Sequence, residues 1–295
     1  MNEISHRSGF VNILGNPNVG KSTLMNGLVG EKISIITPKV QTTRHRIMGI
    51  VNGEDFQIVY SDTPGVIKPG YKLHESMMNE VKSALTDADV ILFVTDVIEK
   101  PGERSDYTEK IGKTGIPVIV VVNKIDLSNQ TSLELIVNSW QNVFPDSPVI
   151  PVSALRGFNI DTLLRVIKGL LPEGPAYFPK DQLTDRYERF FASEIIREKI
   201  FLNYQKEIPY SVEIEIESFK DEEALLRIRS VIHVVRDTQK GIIIGHKGQK
   251  LRKTGTEARL ALEEFFGKKV FLELFVKVTK DWRNKPQALR RFGYK

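Results

Sequence analysis

The chain has 295 residues, 41% hydrophobic and 27% charged, the balance of a globular protein and enough for two domains. With no cysteine it has no disulfide, thiolate metal site or cysteine nucleophile, which fits a reducing cytoplasm, and no apolar run is long enough to span a bilayer. The net charge of +5 is unevenly spread: residues 1–175 carry 17 basic and 19 acidic side chains, whereas the last 60 residues carry 16 basic and 6 acidic. One end is therefore suited to a polyanion. The N-terminal stretch shows neither the long apolar run nor the cleavage site of a targeting signal.

In chain order, residues 10–14, 56–60, 90–95, 118–122 and 149–152 are short, Val/Ile-rich runs that predict strands buried on both faces. Helix-compatible segments alternate with them at 22–28, 73–84, 105–113, 133–143 and 160–171. The alternation predicts an α/β domain, a mostly parallel sheet with helices on both faces. Asn52-Gly53 is a two-residue turn signal, so the strand before it should pair antiparallel at an edge.

Residues 171–179 hold three prolines and a glycine. Proline ends the preceding helix and favours extended backbone. The expected organisation is a domain over 1–174, a stiff linker over 175–184 and a second domain over 185–295 with a basic tail. The second domain reads helix, strand, strand, helix, helix, strand. Its first strand alternates Val212, Ile214 and Ile216 with Glu213, Glu215 and Glu217, which predicts an acidic outer face pointing away from RNA.

Gly15-Asn16-Pro17-Asn18-Val19-Gly20-Lys21-Ser22, followed by Thr23, matches the phosphate-loop pattern in full, between a strand and a helix. Its backbone N–H groups can cradle phosphates, with Lys21 reaching the β- and γ-phosphates and Ser22 binding Mg²⁺. Asp62-Thr63-Pro64-Gly65 ends the next parallel strand; Asp62 is placed to support Mg²⁺, and the Gly65 N–H to meet the γ-phosphate. Asn123-Lys124-Ile125-Asp126 ends another strand, and the Asp126 carboxylate can accept from both donors of guanine, which adenine lacks. Ser153-Ala154-Leu155, uninformative alone, ends the last strand, where a backbone N–H can contact the guanine oxygen. These motifs share the carboxyl edge of one sheet, so GTP or GDP with Mg²⁺ is the expected ligand.

In the loop 36–45 a threonine should complete the Mg²⁺ shell; Thr43 is the first choice and Thr42 the alternate. Val66 follows Gly65, where many small GTPases hold a water-orienting glutamine. Slow intrinsic hydrolysis is expected, and the Asn18 side chain is a candidate holder of a monovalent cation such as K⁺ at the transition state.

Gly245-His246-Lys247-Gly248 is a G-x-x-G loop in the basic module. Such a loop can approach a single-stranded nucleic-acid backbone, with Lys247, Lys250, Arg252 and Lys253 on phosphates and Ile243 and Ile244 as an apolar floor. Residues 279–295 combine six cations with Trp282, Phe292 and Tyr294, a composition suited to stacking RNA bases; an anionic membrane or a solvated tail are the alternatives.

The motifs GNPNVGKST, QTTRHR, DTPGV, NKID and SAL, then the proline-rich segment and GIIIGHKG, resemble the Era family of bacterial GTPases along the whole chain. The resemblance implies a P-loop GTPase domain followed by an α+β type II KH-like domain. It implies binding of the 3′ end of 16S rRNA and a part in 30S subunit maturation, with weak association at the inner membrane face. A monomer acting without DNA is expected. The competing readings are a GTPase of tRNA modification or transport, a second domain that binds protein, and an ATP-using enzyme.

Overall fold

A computed structural model describes residues 6–100 and 105–294. Residues 1–5, where the targeting reading begins, and Lys295, the last cation of the tail, lie outside the described residues. The chain divides into two compact units. The first comprises the chain up to residue 34, then 43–68 and 77–185; the second comprises 35–42, 69–76 and 186–295.

The first unit runs β1 (Arg7–Gly15), α1 (Lys21–Val29), β2 (Ile47–Asn52), β3 (Phe56–Asp62), α2 (Lys72–Thr86), β4 (Val90–Asp96), α3 (Ser105–Gly112), β5 (Val118–Asn123), α4 (Gln130–Val143), β6 (Val149–Pro151) and α5 (Ile160–Leu170). The first turn of α2 groups with the second unit. The sheet order is β2-β3-β1-β4-β5-β6, parallel except for β2. Every residue of β4 and β5 is buried, as interior parallel strands covered on both faces require. Leu14, Ile91, Phe93, Val120 and Trp140 pack with Val81 of α2 and Ile111 of α3 into one core, while α1 and α5 pack together.

β2 is the antiparallel edge strand expected from Asn52-Gly53. Its turn is longer than the two residues that dipeptide signals: Asn52 pairs with Gln57, and Gly53 N–H donates to the Phe56 carbonyl at 2.9 Å. The proline-rich segment, expected as a linker, is fixed to the first unit. Ile50 N–H donates to the Leu183 carbonyl (2.8 Å), the Thr184 hydroxyl to the Met48 carbonyl (2.7 Å), and the Tyr177 and Phe178 N–H groups to Gln57 Oε1 (2.7 and 2.9 Å). The segment thereby covers an edge strand that would otherwise offer unpaired backbone groups.

The second unit contains α6 (Glu188–Asn203), α7 (Ile208–Ser211), β7 (Glu213–Asp221), β8 (Leu225–Val234), α8 (Asp237–Ile244), α9 (Gln249–Phe266), β9 (Lys269–Val278) and α10 (Pro286–Arg291). β7 pairs antiparallel and β9 parallel with the central β8. Ile195, Ile196 and Ile200 of α6, Ala258 and Leu262 of α9, and Ile228 and Ile232 of β8 form its core.

Two expectations fail here. The acidic side of β7 is not an outer face: Glu213 is buried and accepts from the Tyr294 hydroxyl at 2.6 Å, and Glu215 accepts from Arg291 at 2.7 Å and from His233 Nε2 at 2.9 Å. Only Glu217 is exposed, paired with Arg229 at 3.2 Å. The aromatic tail is not a stacking surface either. Trp282 is fully buried with its indole N–H on the Ser211 carbonyl, Tyr294 is buried, and Phe292 packs on His233. Both differences share one cause: Tyr294 and Arg291 of the tail pair with Glu213 and Glu215 of the strand, a partnership that sequence distance hides.

Candidate functional site

The loop between β1 and α1 is shaped by glycine. Gly20 has φ +94°, and a Cβ there would lie 2.2 Å from Asn123 Nδ2; Gly15 has φ +151°, and a Cβ would lie 2.1 Å from the Val94 carbonyl. No side chain caps α1, so its first-turn N–H groups face the loop interior. Lys21 is buried and folds back over the loop, donating to the Gly15 and Asn16 carbonyls at 3.1 and 2.9 Å. Burial pulls its pKa down to about 8, against the attraction of Asp62 and Glu99. Such a cradle, with N–H groups converging beside a helix start and one ammonium, matches a polyphosphate.

Beside it, Ser22, Thr43 and Asp62 meet. The Ser22 hydroxyl donates to Asp62 Oδ2 at 2.6 Å, and the Thr43 hydroxyl lies 2.9 Å from Ser22 Oγ and 3.2 Å from Asp62 Oδ2. Asp62 is fully buried, its Oδ1 makes no hydrogen bond of ordinary geometry among the described residues, and burial raises its pKa while Lys21 and the Ser22, Ser34 and Thr43 hydroxyls pull it down. A buried carboxylate with a spare oxygen and two hydroxyls is a hard-oxygen set that fits Mg²⁺. Thr42 takes no part: its hydroxyl bonds Thr37 Oγ1 (2.6 Å) and the Lys39 carbonyl (2.8 Å). Thr63 anchors the strand end through a 2.7 Å bond to the Ile13 carbonyl.

Gly65 lies against Pro17, where a Cβ would come within 2.8 Å of the Pro17 backbone, and the next residue's N–H, that of Val66, donates to the Gly15 carbonyl at 3.2 Å. The Val66 side chain packs against the core of Leu14 and Val81. Asn18 is exposed with φ +65°.

The ends of β5 and β6 build the second corner. Asn123 is buried and ties three segments, donating to the Val19 carbonyl (2.9 Å) and accepting from Ala154 N–H (3.0 Å). The exposed Asp126 accepts from the Ser153 hydroxyl at 2.5 Å. Leu155 is exposed beside it. Lys124, at φ +61°, pairs with the buried Asp96 at 2.7 Å. Asp96 is a residue that motif reading missed; its signal was a carboxylate at the carboxyl end of β4. The same Asp96 accepts from the N–H groups of Ile98 and Glu99, both 3.0 Å.

In the second unit, Gly245 (φ +72°) and Gly248 (φ +76°) bracket a tight turn between α8 and α9. A Cβ at Gly245 would strike Lys250 Cβ at 2.7 Å. His246, Lys247, Lys250, Arg252 and Lys253 are exposed around it. Ile243 is fully buried in the core and is no floor for bases; Ile242 is the exposed isoleucine of this helix end, and Ile244 is half-buried. The helix turn decides this: α8 directs one of three adjacent isoleucines inward, which a run of identical residues cannot show. Among the described residues no helix is long and apolar enough to cross a membrane.

Comparison with known proteins finds two family models along the chain. Residues 10–124 match the family model of 50S ribosome-binding GTPases and residues 207–283 that of the KH domain. The chain is 44% identical to GTPase Era of Staphylococcus haemolyticus, covering 98% of this chain and 97% of that protein. It is 46% identical to GTPase Era of Geotalea daltonii over the full length of both. The crystal structure of Era in complex with MgGDPNP and nucleotides 1506–1542 of 16S ribosomal RNA superposes with a TM-score of 0.94 at 42% identity, covering 98% of this chain and 99% of that one. A variant of Aquifex aeolicus Era bound to GDP and aluminium fluoride gives 0.93, with the same identity and coverage.

Proposed function

The chain belongs to the Era family of GTPases, and from that premise we propose that it is a GTP-driven switch that binds the 3′ end of 16S rRNA and assists maturation of the 30S subunit. The observation that carries the reading is the pairing, in one chain, of a complete guanine-nucleotide edge with a cation-ringed G-x-x-G loop. The relative solved with MgGDPNP and an rRNA fragment supports it, aligned over 98% of this chain.

Ser22, Thr43 and Asp62 would hold Mg²⁺, which when bound neutralises charge on the phosphates. Lys21 and the N–H groups of residues 15–22 hold the polyphosphate, the Gly65 N–H meets the γ-phosphate, and Asp126 with the Ala154 loop selects guanine. Water attacks the γ-phosphorus, yielding GDP and phosphate. Catalysis of this kind rests on positioning and charge. The valine at 66 supplies no hydrogen bond to that water, so the exposed Asn18 carboxamide is proposed to hold a K⁺ that supplies positive charge. Equal hydrolysis rates in potassium and sodium buffers would overturn the K⁺ role.

The same reading places the protein in the cytoplasm as a monomer with a fraction at the inner membrane face, supported by family membership alone. The deciding experiment is crosslinking of bound RNA in cells followed by sequencing. Recovery of small-subunit 3′ ends is expected, whereas recovery of tRNA, or of no RNA, would replace this reading with a tRNA-modification or protein-binding role.

A further inference from the structure

The loop 35–42, one peptide bond ahead of Thr43, groups with the second unit. Its Lys39 ammonium donates to the carbonyl oxygens of Phe201 and Tyr204, at the C-terminal end of α6. A helix end leaves its last carbonyls without internal partners and carries negative potential, so a cation there is well placed. Ile36 N–H adds a 3.4 Å contact to Glu198 on the same helix.

Tyr204 continues the chain of contacts. It is almost wholly buried. Its hydroxyl donates to the Ile243 carbonyl at 2.8 Å and accepts from the Thr254 hydroxyl at 3.3 Å. Ile243 lies two residues before Gly245, and Thr254 sits on α9, which starts directly after Gly248. The Lys250 ammonium lies 5.5 Å from the centre of the Tyr204 ring. One side chain thus holds both helices that frame the G-x-x-G loop, and its own carbonyl is held by Lys39.

We propose that Lys39 and Tyr204 are positioning residues that couple the loop ahead of Thr43 to the G-x-x-G loop, so that the nucleotide state sets RNA affinity through this contact. The inference rests on the RNA-binding reading above. When Thr43 is engaged beside the γ-phosphate, the preceding residues are held and Lys39 stays on α6; when Thr43 is released, Lys39 leaves and Tyr204 loses its anchor. Any such coupling is reciprocal, so RNA favours the GTP analogue over GDP by the same factor.

The test measures Kd of the full-length protein for a synthetic RNA of the 16S 3′ end, with GDP and with a non-hydrolysable GTP analogue. For the unaltered protein the two values should differ by about fivefold or more, the lower bound of ordinary coupling. Lys39→Met, which keeps the stem and removes the charge, should bring the ratio within about twofold of one. Lys39→Arg should restore it, and Tyr204→Phe should weaken RNA binding in the analogue-bound state. Thermal unfolding checks that each variant is folded. An unaltered ratio in folded Lys39→Met, or a ratio near one in the unaltered protein, overturns the coupling and leaves the RNA reading intact. No RNA binding in either nucleotide state overturns that reading as well.

Discussion

Replacing Asp126 by Asn exchanges one oxygen for an NH₂ group and should change the nucleotide. The Ser153 hydroxyl donates to Asp126 Oδ1 at 2.5 Å, which fixes that oxygen as an acceptor facing Ser153. In Asp126→Asn the amide oxygen keeps the Ser153 bond, and the NH₂ group turns to where the second carboxylate oxygen stood. Guanine presents two donors at its N1 and 2-amino groups, so one acceptor bond becomes donor against donor and the other is left to a neutral amide oxygen. Hydrogen bonds contribute about 1.5–3 kcal/mol to a charged group and about 0.5–1.5 kcal/mol to a neutral one, so losing one and weakening the other costs about 2.5–4.5 kcal/mol. That corresponds to a roughly 10²- to 10³-fold rise in Kd for GTP. Xanthine replaces the 2-amino group by a carbonyl, which the new NH₂ can meet, so XTP should gain as GTP loses. The assay is titration of a fluorescent nucleotide with displacement by GTP, XTP and ATP, alongside GTP and XTP hydrolysis. A variant that binds GTP within tenfold of the parent and does not gain XTP would refute the assignment of Asp126 to the base. Displacement of GTP by equimolar ATP in the parent protein would refute it also.

Two further outcomes are expected. Gly20→Ala forces a left-handed alanine, at a cost of about 1–2 kcal/mol, and drives its Cβ into Asn123, so both urea-unfolding stability and GTP affinity should fall; unchanged GTP affinity would show that the loop geometry is not used. Acidification should loosen the second unit, because burial holds the His233 pKa below its usual 6.5, and Glu215, despite its own burial, is held below 4.5 by the Arg291 and His233 bonds. The unfolded chain binds a proton at His233 where the folded chain does not, so stability falls as pH drops below about 6.5, and Glu215 adds a further loss below about 4.5. Denaturant titrations from pH 8 to pH 4 should show both limbs, and His233→Gln should flatten the upper one; a profile that rises on acidification would refute the linkage.

Most of the nucleotide edge was legible because its chemistry is local. Gly15 to Ser22 forms one loop, and Asp62, Asn123 and Ser153 each end a strand recognisable by its apolar run. Thr43 and Thr42 could not be separated by pattern; the Thr42–Thr37 hydroxyl bond separates them. Asp96 was missed because a carboxylate after an apolar run is common, and only its partner Lys124 gives it meaning. The second unit was legible in element order and less so in the roles of its side chains. Alternating glutamates on β7 look the same whether water or Arg291 faces them, and the aromatic tail reads alike as a stacking platform or as a core contribution. Pairings across 76 or 81 residues leave no periodic trace.

The proline-rich stretch after α5 bears on how the first unit can be isolated. Because residues 177–184 supply three donors and three acceptors to β2 and to Gln57, they act as a seventh, irregular margin of the sheet. A fragment ending at residue 174 would strip that margin. It would leave Ile50 N–H and both ends of the buried Gln57 carboxamide short of partners, beside a bare strand edge ready to pair with another chain. Ending the fragment at Asp185 keeps the selvedge sewn, and the exposed edge that invites self-association never forms.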